Sequence, residues 1–293
     1  MGLLVGDALG VPYEFHAAAA LPPAAELEMT PPSSFRRAHA GTPPGTFSDD
    51  GAQALCLLSS LLDRGALDLG DFARRLVAWL DEGYLAVDAR IFDVGIQSRV
   101  AIESVKRGTS PQRSGGTNER SNGNGSLMRL LPLSLWHRGS DEALARDAAA
   151  QSSVTHAHPR SQACCVLYSL WARRLLEGTP EAWADAVRAA RPFVDAHELE
   201  EAILPAFSKP MRGTGYVVDS LRAAVGLNQL GSYEAVVKAA IALGDDTDTT
   251  ACIAGGIAGI RFGVEGIPER WREALRGREL YEPLLARLLD AAP

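Results

Sequence analysis

The sequence predicts an all-α protein, and three observations lead to that prediction. Apolar residues recur at helical spacing along most of the 293-residue chain. Alternating apolar and polar runs between hairpin turns, the pattern of β-strands, are absent from the sequence. Hydrophobic residues make up 46% and charged residues 22% of the chain, so it can bury a sizeable core. We expect one compact domain over residues 1–293.

Helical spacing and end signals predict each helix in turn. The apolar face of the helix predicted over 51–65 stops at Gly65, which is expected to be its C-cap. Thr179 and Pro180 are expected to be the N-cap and first residue of the helix over 180–191. The predicted helices cover 51–65, 71–83, 93–107, 141–151, 160–177, 180–191, 216–230, 232–243, 248–262, 268–276 and 280–291.

Two stretches lack helical periodicity. Residues 16–46 are rich in Ala and Pro, whereas residues 108–126 are rich in Gly, Ser, Asn and Arg. Either composition suits a linker between domains, but long loops inside compact folds are often functional. We therefore predict that both stretches are binding loops over one helical core.

Charge and cysteine usage restrict the class of protein. The formal net charge of −7 argues against a nucleic-acid backbone binder, which needs a basic surface. The N-terminus has no basic leader, and Gly6 and Asp7 interrupt its apolar run. We therefore expect neither a signal peptide nor a membrane span, and a cytoplasmic location. The four cysteines lie in apolar stretches without a CxxC pair and are expected to be buried, reduced thiols.

Two short acidic motifs open apolar helices, GTFSDDG at 45–51 and LGDDTDTT at 243–250. Capping explains either motif alone, since Ser48 or Asp246 can accept hydrogen bonds at a helix start. The second motif continues as ACIAGGIAGI at 251–260, which is apolar on every side and is therefore predicted to be a central helix. Its acidic start would lie at the mouth of the core, where neighbouring carboxylates repel unless they bind a cation.

Together the two motifs predict a metal site. Their side chains supply hard oxygen ligands, which suit Mg²⁺ or Mn²⁺ and not zinc. Four carboxylates would balance the charge of two divalent cations. The expected ligands are Ser48, Asp49, Asp50, Asp246, Asp248 and Thr249.

Seven strings, in order along the chain, carry a resemblance to a known family. They are LLVGDALGVPYEF (3–15), GTFSDDGAQALCL (45–57), FDVG (92–95), SNGNGSLMRLLPL (121–133), VTHAHP (154–159), GTGYVVDSLRAA (213–224) and LGDDTDTTACIAGGIAGIRFG (243–263). The chain resembles the ADP-ribosylglycohydrolases, which include the dinitrogenase-reductase-activating hydrolases and the arginine- and serine-directed ADP-ribosylhydrolases. The resemblance covers nearly the whole chain. It implies a compact orthogonal multi-helix bundle with a dinuclear metal site at its centre.

The resemblance also implies roles for individual acidic residues. The family's metal motifs fall on the six expected ligands, which implies two divalent cations, Mg²⁺ or Mn²⁺. Glu14 matches an acidic loop residue that approaches the reaction centre, and is expected to act as general base or acid. Asp93 aligns with an acidic residue that acts on the leaving group or on water. The alternative for Asp93 is an ordinary N-cap of the helix over 93–107.

The string SNGNGSLMR resembles the glycine-rich loop of the family. The resemblance implies that backbone N–H groups of this loop meet a diphosphate at a helix start. A flexible turn leading into a helix is the alternative. The implied substrate-binding residues of the loop are Gly123, Asn124, Gly125, Ser126 and Met128.

Two further residues match family positions near the ligand. His156 is expected either beside ADP-ribose or as a structural hydrogen-bonding residue. Tyr216 is expected either to stack on a ring of the ligand or to pack in the core.

These observations predict a hydrolase that cleaves the glycosidic bond between ADP-ribose and a modified acceptor. Its expected partners are ADP-ribose and an ADP-ribosylated substrate, with arginine in a protein as the first candidate acceptor. Serine-linked, nucleic-acid-linked and small-molecule conjugates remain open. The alternatives are a non-catalytic, crystallin-like ADP-ribose-binding protein and a dinuclear-metal nucleotide phosphohydrolase. A monomer that does not associate with membranes is expected.

Overall fold

The structure is a computed structural model that describes residues 1–290, in which α-helices are joined by loops and short 3₁₀ turns. Within those residues there are isolated β-bridges but no β-strand, so the prediction of an all-α protein is confirmed. The helices are α1 (Gly2–Gly10), α2 (Asp49–Arg64), α3 (Leu69–Glu82), α4 (Ile96–Lys106), α5 (Leu131–Trp136), α6 (Asp141–Ser153), α7 (Pro159–Leu176), α8 (Ala182–Ala190), α9 (Val217–Leu227), α10 (Tyr233–Ile241), α11 (Thr247–Phe262), α12 (Glu269–Ala274) and α13 (Arg278–Asp290).

The helix predicted over 93–107 begins later than expected. It is α4, which starts at Ile96 with Gly95 as its N-cap. Asp93 has a φ of 53°, a left-handed backbone conformation that does not belong in an α-helix. The predicted start of the helix and the N-cap alternative for Asp93 are therefore both wrong.

The helix predicted to begin at 180 also starts later. Glu181 has a φ of 52°, and α8 begins after it at Ala182. The prediction of Thr179 and Pro180 as N-cap and first helical residue is therefore wrong.

The predictions for the end of α2, for the cysteines and for the last helix are confirmed. Gly65 is the C-cap of α2 with a left-handed φ of 64°. Within residues 1–290 the four cysteines are buried and none forms a disulfide. None of the helices in the described part of the chain is long and apolar enough to cross a membrane. The predicted helix over 280–291 is α13, and residue 291 lies outside the described residues.

α11 is the central helix, as its apolar sequence predicts, and its residues Thr247 to Ala258 are all buried. α1 packs along it at very short range. A Cβ atom on Gly6 would lie 2.2 Å from the backbone oxygen of Ala251, and one on Gly10 would lie 2.4 Å from the Cα of Asp248. Because larger residues do not fit there, glycine allows α1 to lie directly against α11.

The close packing of α1 brings Asp7 to the start of α2. One carboxylate oxygen of Asp7 accepts a hydrogen bond from the N–H of Ser48 at 2.9 Å, and the other accepts one from Gly51 at 2.8 Å. The hydroxyl of Ser48 caps the helix by accepting from the N–H of Asp50. The acidic N-terminal ends of α2 and α11 consequently meet beside α1.

Candidate active site

A cavity of about 590 Å³ opens where the segment after α1 meets the glycine-rich loop and the N-terminal ends of α2 and α11. Most of the residues that the sequence predicts for the site line this cavity. They are Glu14, Asp49, Asp93, Gly123, Asn124, Gly125, Met128, His156, Asp246 and Thr249. The other predicted residues lie outside its lining, and they are Ser48, Asp50, Ser126, Tyr216 and Asp248.

Buried carboxylates converge beneath one wall of the cavity. Asp7, Asp50 and Asp248 each offer an oxygen, and these three oxygens lie within 4.8 Å of one another. Asp248 forms a second such group with Glu14 and Asp246. Asp248 therefore lies between a deep acidic group and the acidic residues that face the cavity.

Hydrogen bonds within the fold satisfy only part of this group. Burial, followed by repulsion from neighbouring carboxylates, raises the pKa values of Asp49, Asp50 and Asp248 well above their ordinary range. Burial likewise raises the pKa of Asp246. The Oδ2 atoms of Asp50 and Asp248 are buried and have no hydrogen-bond partner within residues 1–290. Buried oxygens with neither counter-charge nor donor are well matched to hard divalent cations, so Asp50 and Asp248 fit a metal site.

Glu14 is held at the edge of this group by two side chains that also approach each other. Its Oε2 lies 2.7 Å from Nε2 of His39, and Glu14, His39 and Asp93 each place one ligand atom within 4.8 Å of the other two. Glu14 is 3% exposed. Burial, then the charges of Asp93, Asp246 and Asp49, raises the pKa of Glu14 to about 11.

Four residues around Glu14 have a strained backbone. Phe15, His39, Asp93 and Asp245 all have positive φ values, between 48° and 62°. Residues other than glycine adopt this conformation at a cost, and such residues cluster at functional sites. Here the strained residues surround the carboxyl group that the sequence singles out for chemistry.

The glycine-rich loop has a different arrangement from the one predicted. Gly123 and Gly125 line the cavity, but the backbone N–H of Asn124 donates to the oxygen of Gly215 at 3.0 Å. That N–H is therefore already used, and the side chain of Asn124 instead donates to Oδ2 of Asp246 at 2.9 Å. Turns follow the loop, and the next α-helix, α5, starts at Leu131. The expectation that this loop directly begins a helix is wrong.

Ser126 lies in the interior and not on the cavity wall. Its side chain is fully buried, and its hydroxyl lies 2.8 Å from Oγ of Ser152 and 3.6 Å from Sγ of Cys165. These partners place the hydroxyl of Ser126 in the packing between the loop and α6 and α7.

Met128 and His156 form part of the cavity wall, whereas Tyr216 lies beside it. His156 is almost fully buried, which lowers its pKa to about 3, so the ring is neutral at physiological pH. Its Nδ1 lies 2.8 Å from Oγ1 of Thr155. The hydroxyl of Tyr216 accepts a hydrogen bond from Nη1 of Arg160 at 3.1 Å. Tyr216 is half-buried, and the next residue towards the cavity, Gly215, lines it instead.

Two residues that the sequence analysis missed support Asp49 from behind. Gln53, one turn after Asp49 in α2, donates to Oδ2 of Asp49 at 3.0 Å. Its side-chain oxygen accepts from Nη1 of Arg129 at 2.9 Å, and Arg129 is fully buried. The i,i+4 spacing and a lone arginine within the apolar string LMRLLPL are the sequence signals for this pair. His39 gives no comparable local signal.

The fold and the site together define a helical protein with a ligand-sized cavity built over a carboxylate-rich centre fit for metal. The ADP-ribosylglycohydrolase family model matches residues 1–293, and the chain belongs to this family. The family consists of metal-dependent glycosidases that release ADP-ribose from modified acceptors.

Individual relatives agree with this assignment. The chain is 34% identical over 303 residues to the ADP-ribosylarginine hydrolase Tri1 of Pseudomonas putida (strain GB-1), covering 100% of this chain and 77% of that protein. It is 29% identical over 286 residues to the ADP-ribosyl-(dinitrogen reductase) glycohydrolase of Rhodospirillum rubrum, covering 94% and 88%. A solved structure described as an ADP-ribosylglycohydrolase-related protein complex matches with a TM-score of 0.80 at 31% identity, covering 100% of this chain and 95% of that one.

Proposed function

We propose that this protein hydrolyses the N-glycosidic bond between ADP-ribose and an arginine side chain of a modified protein. The observation that carries the proposal is a pair of buried oxygens, on Asp50 and Asp248, that have no hydrogen-bond partner among residues 1–290 and lie beside a cavity lined by Glu14. Similarity to an ADP-ribosylarginine hydrolase supports arginine as the acceptor.

The acidic centre is the proposed site of two divalent cations, Mg²⁺ or Mn²⁺, because all the atoms that it offers to a metal are oxygens. When bound, these ions supply positive charge that polarises oxygens of the distal ribose and of water. The proposed ligands are Ser48, Asp49, Asp50, Asp246, Asp248 and Thr249. Gln53 orients Asp49, and Asn124 orients Asp246, each by donating one hydrogen bond to a carboxylate oxygen.

Glu14 is the group that we assign to proton transfer. As the general acid, Glu14 carries a proton on its carboxyl, and His39 fixes the orientation of that carboxyl through Oε2. The proton passes to the leaving guanidino nitrogen as the bond to the anomeric carbon breaks with oxocarbenium-like character. Water then adds to the anomeric carbon and returns a proton to Glu14. Asp93, beside Glu14, is the alternative residue for this role.

A mass-spectrometric panel tests the proposal. Arginine-, serine- and nucleic-acid-linked ADP-ribose substrates are incubated with the protein and Mg²⁺ or Mn²⁺. We expect free ADP-ribose, released fastest from the arginine-linked substrate. AMP plus ribose phosphate would instead indicate attack on the diphosphate, and binding of ADP-ribose without any turnover would indicate a non-catalytic protein.

Glu14→Gln provides the matched variant for the same panel. It should slow turnover strongly while ADP-ribose still binds, because the amide preserves the shape of the side chain but cannot transfer the proton. Full activity in this variant would move the role of acid and base to Asp93.

The proposed location is the cytoplasm. Its support is the state of the four cysteines, which are buried and free within the described residues, as expected in a reducing compartment. A target protein in the same compartment is the proposed partner.

A further inference from the structure

Two of the most exposed large apolar side chains stand at the mouth of the candidate active-site cavity. Ile96, the first residue of α4, is 85% exposed, and Phe15, directly after Glu14, is 69% exposed. Both line the cavity. Val100 lies one turn after Ile96 on the same face of α4 and is 55% exposed. We call Phe15, Ile96 and Val100 the apolar rim.

The fold holds Phe15 in this outward position. Its backbone has a φ of 62°, and its N–H donates to the oxygen of Asp245 at 2.8 Å. The backbone N–H of Asp245 donates to the backbone oxygen of His16 at 2.7 Å. The ring of Phe15 also lies 5.6 Å, between centroids, from the ring of His39, the partner of Glu14. A large aromatic side chain is therefore fixed in a strained, solvent-facing position next to the group assigned to proton transfer.

The position of the apolar rim relative to the reacting bond follows from the acidic residues. Glu14 must come within hydrogen-bond distance of the leaving nitrogen to transfer a proton. Phe15 follows Glu14 directly, and Ile96 follows Asp93 by three residues. The buried Glu14 and Asp49 lie at the floor of the cavity and the exposed Phe15 and Ile96 at its mouth, so the rim lies beside the path between the reacting bond and solvent.

We propose that the apolar rim binds the target protein beside its modified arginine, by contact with an apolar side chain that flanks this arginine. The inference rests on the proposed function and extends it to the sequence around the modification. Exposed apolar side chains grouped at a site mark contact with a protein, a membrane or a ligand, and under the proposed function the acceptor at this mouth belongs to a protein. The floor of the cavity recognises the ADP-ribosyl group that every substrate shares, and the rim selects among the proteins that carry it.

Three substrates test this inference. One is free ADP-ribosyl-arginine, which has no flanking residues, and two are peptides whose modified arginine is flanked by leucine or by serine. The wild-type protein should prefer the leucine peptide over the serine peptide by about tenfold in kcat/KM, mainly through KM, because burial of one large apolar side chain is worth that much.

The double variant Phe15→Ser, Ile96→Ser should reduce this preference to nearly one. The control is Leu289→Ser, which removes a side chain of similar exposure, 73%, on α13. It should retain the tenfold preference. Each value is expressed relative to the kcat/KM of the same variant on free ADP-ribosyl-arginine, so that a change in the chemical step cancels.

Equal rates of the wild-type protein on the two peptides would overturn the inference. The inference would also be overturned if the double variant lost activity on all three substrates by one common factor. That result would mean that the apolar rim binds ADP-ribose itself. Failure of the proposed function is distinguishable, because the wild-type protein would then cleave none of the three arginine-linked substrates.

Discussion

Replacing Asp248 with Asn should stabilise the metal-free protein at alkaline pH and weaken its response to metal. Asp248 is fully buried, and its Oδ1 accepts from the N–H of Thr249 at 2.8 Å. Its Oδ2 has no hydrogen-bond partner within the described residues. Burial, and then the neighbouring acidic side chains, disfavours the ionised form of Asp248 in the folded state, and an uncharged side chain removes that penalty.

The size of the effect follows from proton linkage. The pKa of Asp248 is raised well above 3.8 in the fold, whereas the unfolded chain ionises this carboxyl normally. A raised carboxyl pKa favours the folded state at low pH, and the free energy of unfolding falls as pH rises. Keeping Asp248 protonated costs at most about 5.7 kcal/mol at pH 8 and about 1.6 kcal/mol at pH 5. Incomplete hydrogen bonding of the Asn amide costs about 1–3 kcal/mol. The net gain is therefore up to about 4 kcal/mol at pH 8 and close to zero at pH 5.

Thermal unfolding followed by circular dichroism measures this gain. In EDTA at pH 8 the Tm of Asp248→Asn should exceed that of the wild-type protein by up to about 8 °C, with little difference at pH 5. Excess Mn²⁺ should narrow this difference by up to about 2.7 kcal/mol, since ligand at 100 times its Kd adds about that much to the wild-type protein and less to the variant.

Asp245→Asn is the matched control for this measurement. Asp245 lies in the same acidic motif, but it is exposed, and asparagine tolerates its left-handed φ of 59°. The Tm of Asp245→Asn should stay close to that of the wild-type protein, both in EDTA and with Mn²⁺. If Asp248→Asn unfolds at or below the wild-type Tm in EDTA at pH 8 while the control is unchanged, the reasoning about an uncompensated buried carboxyl is wrong.

Two further predictions concern the support of the site. Gln53→Leu should weaken Mn²⁺ binding about tenfold in isothermal titration calorimetry, because Asp49 loses its hydrogen-bond donor. The control is Gln229→Leu, at an exposed position. An unaltered Kd for Mn²⁺ in Gln53→Leu would contradict this role of Gln53. Gly6→Ala should lower the free energy of unfolding by about 1–3 kcal/mol or more in urea, because the added Cβ meets the Ala251 oxygen at 2.2 Å. In Gly231→Ala the added Cβ has no atom within 4 Å, so this control should keep the wild-type free energy of unfolding. Equal stability of both variants would argue against close packing of α1 and α11.

Features that depend on neighbouring residues in the chain could be predicted from the sequence. The unbroken apolar pattern of 251–260 specifies burial on all sides, and α11 is indeed central. The acidic start of the same helix indicates its place at the edge of the core, and Asp246 and Asp248 lie there. In both cases side-chain chemistry and helical spacing carry the information.

Features that depend on contacts between distant segments were not predicted. The orientation of Asp93 is set by a left-handed backbone, for which the sequence FDVG gives no sign. His39 meets Glu14 from a loop without periodicity. Ser126 belongs to a glycine-rich string typical of a binding loop, yet a hydrogen bond to Ser152 places its hydroxyl in the core. Helical and motif patterns carry no information about such pairings.

The packing of α1 against α11 joins opposite ends of the chain and has a consequence for biosynthesis. The hydroxyl of Thr247 donates to the oxygen of Gly10, 237 residues earlier. At about 5–20 residues per second, a ribosome needs roughly 10–50 s to produce α11 after α1 has emerged. A nascent or truncated chain that ends before α11 carries Asp49 and Asp50 without Asp246 and Asp248. At the proposed metal site, binding of both cations therefore requires that synthesis has passed α11.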